Sequence, residues 1–350
     1  MPDARAIFST IRPIVLSKFS EEFSFYTNHK KLVGDKNQHL LIIRYFKGRY
    51  HFVSENISLL KELKLKYQTV SYFDDGDGAD SIHDELLPYL DHYFKSQMYE
   101  DKSVYLRSAY GRQQFSEYYH QKYGIIDEIP DIREPLQSND INKINYLWGL
   151  GVSRFPIENK KIRVFSKFLK HFPFETKMLY SDSKWSSKFS PLENRTKKIQ
   201  ARFSSGSTYA KSIGYQRKLI LDIASNHQDK YMVGKVSFKD YNNEIKNLVG
   251  VISPFGWGEV CFRDYEAVMN HTLLIKPSMA GIMTYPDIYI ENETYIPLKW
   301  DFDDLNIKAD LFFDDILDAQ RIVNTAKSVY RDQIAKLDDR VAYLINKLNK

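Results

Sequence analysis

The sequence predicts an α/β protein of two lobes, each a parallel sheet wound with helices. The lobes face a central cleft, and a long C-terminal helix follows them. Three observations carry this expectation. The chain has 350 residues, more than one core of ordinary size encloses. Short apolar runs alternate with segments of helical period in both halves. A polar, Ser- and Lys-rich stretch without period, 177–198, lies between the halves.

The elements follow in order. HLLIIRY (39–45) reads as a buried strand, and Lys47-Gly48 turns it into RYHFVSE (49–55) as a hairpin. ISLLKELKL (57–65) has helical period. KYQTVSYF (66–73) is a strand running into Asp74-Asp75-Gly76-Asp77-Gly78. Asp80-Ser81 opens a helix with Leu86, Leu87 and Leu90 on one side. DHYFK (91–95) and INYLWGL (144–150) are strands, and 112–123 is helical. This is the first lobe, 1–185.

The second lobe, 196–330, repeats the alternation. KIQARFSS (198–205) is a strand, and a loop at Ser204–Ser207 precedes a helix over Tyr209–Ser225. YMVGKVSF (231–238) is a strand, FKDYNNEIKNL (238–248) a helix, and LVGVIS (248–253) a strand. The tail from Phe313 carries Ile316, Ile322, Val323, Val329, Ile334 and Val341 at helical spacing without Gly or Pro. Residues 331–350 are expected to pack across both lobes.

Composition narrows the function. Hydrophobic residues are 43% and charged residues 27%, as in globular proteins. The 25 Tyr and 22 Phe are mostly core and half-buried surface. A net charge of +5 falls short of a dedicated nucleic-acid binder. It suits an anionic small ligand such as a nucleotide diphosphate, or loose contact with the cytoplasmic membrane face. The one cysteine, Cys261, allows neither an internal disulfide nor a Cys-based metal site, which fits a reducing compartment. The N-terminal segment has Asp3 and no long apolar core, so it does not read as a secretory signal. No apolar run reaches the roughly 18 residues of a membrane span. The expected location is the cytoplasm, free or peripheral to the membrane.

The segment 253–278, SPFGWGEVCFRDYEAVMNHTLLIKPS, carries the chemistry. A strand, a glycine loop, a helix N-terminus and a second strand arrive in the order of a phosphate site in a parallel sheet. Gly256 and Gly258 would let backbone amides approach phosphate. Arg263 offers a planar fork. Glu266, three residues on and on the same helical face, would accept from a ribose diol. The plainer alternative is a surface ion pair beside an ordinary turn.

Trp257–Ala267, WGEVCFRDYEA, resembles the donor-site motif of exostosin-like and related bacterial GT-B glycosyltransferases. LLIKPSM, TYPDIYI and ETYIPLKWDFDDL are similar to bacterial glycosyltransferases of capsule and O-antigen clusters, and the resemblance covers about 199–305. It implies a GT-B fold of two Rossmann-like lobes. It implies transfer of a sugar from a nucleotide-sugar donor to a hydroxyl of a glycan or lipid-linked acceptor. It further implies no metal, no cofactor, and inversion at the anomeric carbon. Glu266 would bind the donor ribose and Arg263 would face its diphosphate. One departure stands out: where the family has a glycine before the next strand, this chain has Asn270-His271, whose side chains would crowd the strand or the nucleotide pocket.

Arg202 and Arg217 are further phosphate candidates, with Ser204, Ser205 and Ser207 as donors beside them. Asp75 and Asp77 form an Asp-x-Asp of the kind that holds a divalent metal, or supply a general base for the acceptor hydroxyl. His92 and Lys95 close the set of first-lobe candidates. GxxxxGK[ST], GxSxG and HExxH are absent from the sequence. Two other readings remain open: an epimerase or phosphorylase acting on sugar phosphates, and a non-catalytic partner in glycan assembly.

Overall fold

Parallel sheets organise both halves. The computed structural model describes residues 4–26, 28–43, 53–111, 113–153, 189–206 and 210–350. The first half contributes β1 (His39–Ile43), β2 (Thr69–Asp74), β3 (His92–Lys95), β4 (Gln97–Tyr99), β5 (Ala109–Tyr110), β6 (Ile132–Arg133) and β7 (Ile144–Tyr146). Four of these form an all-parallel sheet in the order β1-β2-β3-β7. Every residue of β2 is buried, as a strand covered on both faces requires. Among the described residues the helices of this half are α1 (Ala4–Leu16), α2 (Val53–Lys66), α3 (Gln114–Tyr123) and the single turn α4 (Ser138–Ile141).

Two local expectations are corrected. The hairpin partner expected over 49–55 lies mostly outside the described residues, but Val53–Glu55 open α2, and β1 pairs parallel with β2. A helix does not start at Asp80. Its carboxylate is fully buried on Arg133 Nε at 2.6 Å, which ties the chain to β6. Leu86 and Leu87 are buried on a short 3-10 stretch, Asp84–Tyr89, that contains Pro88.

The second half contributes β8 (Thr196–Gln200), β9 (Tyr231–Met232), β10 (Leu248–Ile252), β11 (Leu273–Pro277), β12 (Ile282–Thr284) and β13 (Ile296–Leu298). Their main sheet runs β13-β11-β10-β8-β9 and is parallel throughout. The chain leaves β8 toward β9, then crosses back to place β10 on the other side of β8. The connections therefore diverge between β8 and β10, and a crevice opens at their C-terminal ends. The polar stretch 177–198 lies outside the described residues up to 188, and Thr196–Lys198 belong to β8. The strand expected over 231–238 shrinks to two residues, because Gly234 turns the chain at φ 90°.

Helices α5 (Lys211–Asn226), α6 (Phe238–Asn247), α7 (Phe262–Met269) and α8 (Leu305–Asp314) complete this lobe. The tail is α9 (Ile316–Ala335) and α10 (Leu337–Leu348), broken at Lys336. Helix α9 lays Ala319, Ile322, Val323, Ala326 and Tyr330 on the second-lobe core. Helix α10 packs Val341, Leu344 and Leu348 with Ile14, Phe73 and Phe94 of the first lobe. The C-terminal crossing between lobes is therefore made by two helices, not one. Among the described residues no helix is long and apolar enough to cross a membrane.

Chain order and lobe membership interleave. Phe115 and Tyr119 of α3 belong to the second-lobe core, and Asp127 Oδ1 accepts from Ser212 N at the start of α5 at 2.8 Å. In the other direction β12 pairs antiparallel with β4.

Candidate functional site

The crevice between β8 and β10 gathers the basic residues. Past β8, the chain continues through Arg202, Phe203 and Ser204. Past β10 it forms the loop 253–260, and Cys261 caps α7, its amide donating to Asp264 Oδ2 at 2.9 Å. Arg263 Nη2 donates to Arg202 O at 3.0 Å, and its guanidinium lies 5.7 Å from the Phe203 ring centre. Arg217, from α5, donates through Nη1 to Phe255 O at 2.9 Å and through Nε to Ser204 O. It thus pins the two loops of the crevice together.

Arg263 and Glu266 share one face of α7, and Tyr241 of α6 joins them. The Tyr241 hydroxyl donates to Glu266 Oε2 at 2.9 Å and accepts from Arg263 Nε at 3.3 Å. Burial, with the Glu266 carboxylate adding to it and Arg263 opposing, pushes the Tyr241 hydroxyl up to about 12. It therefore stays a donor at neutral pH.

Arg202 is differently placed from the free phosphate ligand expected. Its Nη2 and Nε donate to the two Glu244 oxygens at 2.7 and 2.9 Å, and Nη1 donates to Val233 O. A bidentate pair of this kind neutralises the guanidinium. Ser204 and Ser205 lie on the adjoining loop, and Ser207 falls outside the described residues.

The two glycines differ. Gly256 N donates to Gly258 O at 3.0 Å, so that amide closes a turn. A Cβ on Gly258 would stand 1.5 Å from Asp77 O and 2.1 Å from its carbonyl carbon. The requirement for glycine at 258 therefore comes from contact between lobes. Beneath the loop, Lys276 Nζ and Asp264 Oδ2 are 3.2 Å apart and fully buried, and the ammonium lies 5.0 Å from the Phe255 ring centre. Tyr289 donates to the same carboxylate at 2.6 Å. Sequence reasoning missed this support; Lys276 inside the apolar run LLIKP was its signal.

On the first lobe, the Asp74–Gly78 loop follows β2. Asp74 is buried and accepts from Tyr93 at 2.7 Å and Lys95 at 3.3 Å. Burial alone would raise its carboxyl, but Lys95, His83 and these hydrogen bonds hold it down at about 2. Lys95 is thus a buried support for the turn. Asp75 accepts from Thr10 of α1, and Asp77 is exposed. Both line a cleft with about 310 Å³ of empty space, part of it open to solvent, together with Gln97, Gly149 and second-lobe Val260. His92 starts β3 at the opposite end of the strand from Lys95. Three residues of strand put it about 10 Å from the cleft end, half-buried and beside Lys347 of α10. That position removes it from the candidates. Among the described residues no group of three or more His, Cys, Asp or Glu is placed to hold a metal ion.

Asn270 and His271 lie at the far end of α7. His271 has φ 52°, the left-handed conformation that favours glycine, and stacks on Phe189 at 4.0 Å. It precedes β11, whose C-terminal end faces the crevice. Neither residue lines the cleft that holds Asp75 and Asp77.

No protein-family model matches the chain, and no curated protein sequence matches it. Among solved structures it is similar to TarM at 8% identity and TM-score 0.42, over 85% of this chain and 53% of TarM. It is similar to a glycosyltransferase from Rickettsia africae at 12% identity and TM-score 0.41, over 84% of this chain and 74% of that one. It is also similar to Anabaena Alr3699/HepE, solved with UDP-glucose, at 8% identity and TM-score 0.42, over 87% of this chain and 78% of that one. The chain spans about half the length of TarM.

Proposed function

We propose that this chain is a GT-B glycosyltransferase of the exostosin-like, capsule and O-antigen kind. It moves a sugar from a nucleotide-sugar donor to a hydroxyl of a glycan or lipid-linked acceptor at the cytoplasmic membrane face, in surface polysaccharide synthesis. One observation carries the reading. An arginine and a glutamate, joined by Tyr241, stand where the sheet connections diverge, and the loop that precedes them meets the two first-lobe aspartates in one cleft.

Glu266 accepts from the donor ribose. Arg263 and the start of α7 face the diphosphate and stabilise the charge that develops on it. Asp75 or Asp77 takes the proton of the acceptor hydroxyl. The acceptor oxygen bonds to the anomeric carbon as the bond to the diphosphate oxygen breaks, in one inverting displacement without a metal.

The test is thermal stabilisation by UDP, GDP, CMP and their sugars. The preferred nucleotide at a hundred times its Kd is expected to stabilise the wild type by about 2.7 kcal/mol. Glu266→Ala should lose most of that. Stabilisation by none of them, or an equal shift in Glu266→Ala, overturns the assignment.

A further inference from the structure

Glu259 has no role in the chemistry just described, yet it is among the most constrained side chains near the cleft. It follows Gly258 on the second-lobe loop and is 3% exposed. Its Oε2 accepts from Ala79 N at 2.9 Å and Gln97 Nε2 at 2.6 Å, both first-lobe groups. The same Gln97 amide donates to Asp77 O. Gln97 stands on β4 opposite Thr284 of β12, where a strand of each lobe pairs with the other. Among the described residues Glu259 Oε1 is buried without a hydrogen-bond partner.

We infer that Glu259 is a positioning residue: through Gln97 and the Ala79 amide it fixes the Asp75–Asp77 loop against the donor loop, so that closing the cleft and placing the base are one event. The inference rests on the proposed function only for the roles of those two loops. An interlobe contact built on a neutral side chain would hold equally at every pH. This one can gain or lose a proton. Burial pushes the Glu259 carboxyl up from 4.5 to about 7; the Ala79 amide opposes this, Asp80 adds to it and Lys95 opposes it. Tyr99 and Tyr105 also face it, and Arg133 is held by Asp80.

The sign follows from linkage. A carboxyl whose closed-state pKa is raised binds its proton more tightly when the lobes are closed. The contact is therefore strongest below about 4.5 and weakens as pH rises through about 7, on the order of a hundredfold in the closing equilibrium.

The experiment is hydrogen exchange on the full chain, corrected for intrinsic rates, at pH 6 and pH 8. Wild type is compared with Glu259→Ala, Glu259→Gln and Gln97→Leu. Segments 75–79 and 256–261 are expected to lose protection together in Glu259→Ala and Gln97→Leu, tenfold or more, while β2 and β10 keep theirs. Wild type should protect both segments better at pH 6 than at pH 8, and Glu259→Gln should lose that difference. Independent behaviour of the two segments, or an unchanged pH dependence in Glu259→Gln, overturns the inference. If Glu259→Ala does not fold, Gln97→Leu decides by the same criterion. Nucleotide affinity of Glu259→Gln should stay within threefold of wild type. Failure of the wild type to bind any nucleotide would count against the proposed function and leave the exchange result standing.

Discussion

Gly258 stands so close to Asp77 that a Cβ on the glycine would lie 1.5 Å from the aspartate's carbonyl oxygen. Both partners are backbone, so neither can rotate away. The loop that carries the candidate donor residues and the loop that carries the candidate base are thus in direct contact.

Gly258→Ala tests this contact. The methyl group forces the loops apart, and overpacking of this kind costs about 1–3 kcal/mol. The expected result is a lower Tm and a larger radius of gyration by solution scattering. A variant with wild-type values for both would show that the lobes do not meet at this point.

Tyr241→Phe removes the hydroxyl that joins Arg263 to Glu266 and leaves the ring in place. One lost hydrogen-bonding group is worth about 1 kcal/mol, so nucleotide affinity by calorimetry should fall about fivefold. Unchanged affinity would mean that the three side chains do not act together.

Asp75→Asn and Asp77→Asn separate the two base candidates. The true base should lose roughly 10²–10⁴-fold in turnover while nucleotide binding is retained. His92→Ala, at the other end of β3, should leave turnover within about twofold. A large loss at His92 would reverse its exclusion from the cleft.

His271 gives a pH dependence of stability. Burial, with Lys327, Arg195 and Arg331 adding to it, pushes its pKa from 6.5 down to about 4. The unfolded chain takes up a proton at higher pH than the folded one, so stability falls as pH drops from 6.5 toward 4. Discounted for the ring's partial exposure, the loss is on the order of 1 kcal/mol. His271→Asn keeps a residue tolerant of φ 52° and removes the titration. Denaturant midpoints at pH 7 and pH 4.5 should differ less in the variant, and equal differences would refute the assignment.

Much of the second lobe was legible in the sequence. LVGVIS and LLIKP are continuous apolar runs of strand length, and residues 262–269 carry a polar face that holds Arg263 and Glu266. Local pattern sufficed because each element is buried on predictable faces. The boundary between lobes was not legible in the same way. Helix α3 has an ordinary amphipathic pattern, and nothing in that pattern says which core receives Phe115 and Tyr119. The break at Lys336 has no glycine or proline to mark it; it falls where the chain passes from one lobe's core to the other's. His271 reads as an obstruction in the sequence only because the resemblance expects a glycine there. Its backbone adopts the glycine-like conformation at the end of the helix away from the crevice.

By itself the sequence determined an α/β chain with parallel sheets and a glycine loop followed by a helix that carries one arginine and one glutamate on one face, because burial and helical spacing are local properties written residue by residue. The tertiary structure alone decided that Arg202 is neutralised by Glu244, that His92 is at the wrong end of its strand, and that Gly258 and Glu259 serve the contact between lobes. Those outcomes depend on which groups distant parts of the chain bring within hydrogen-bonding reach, and no spacing along the sequence encodes that distance.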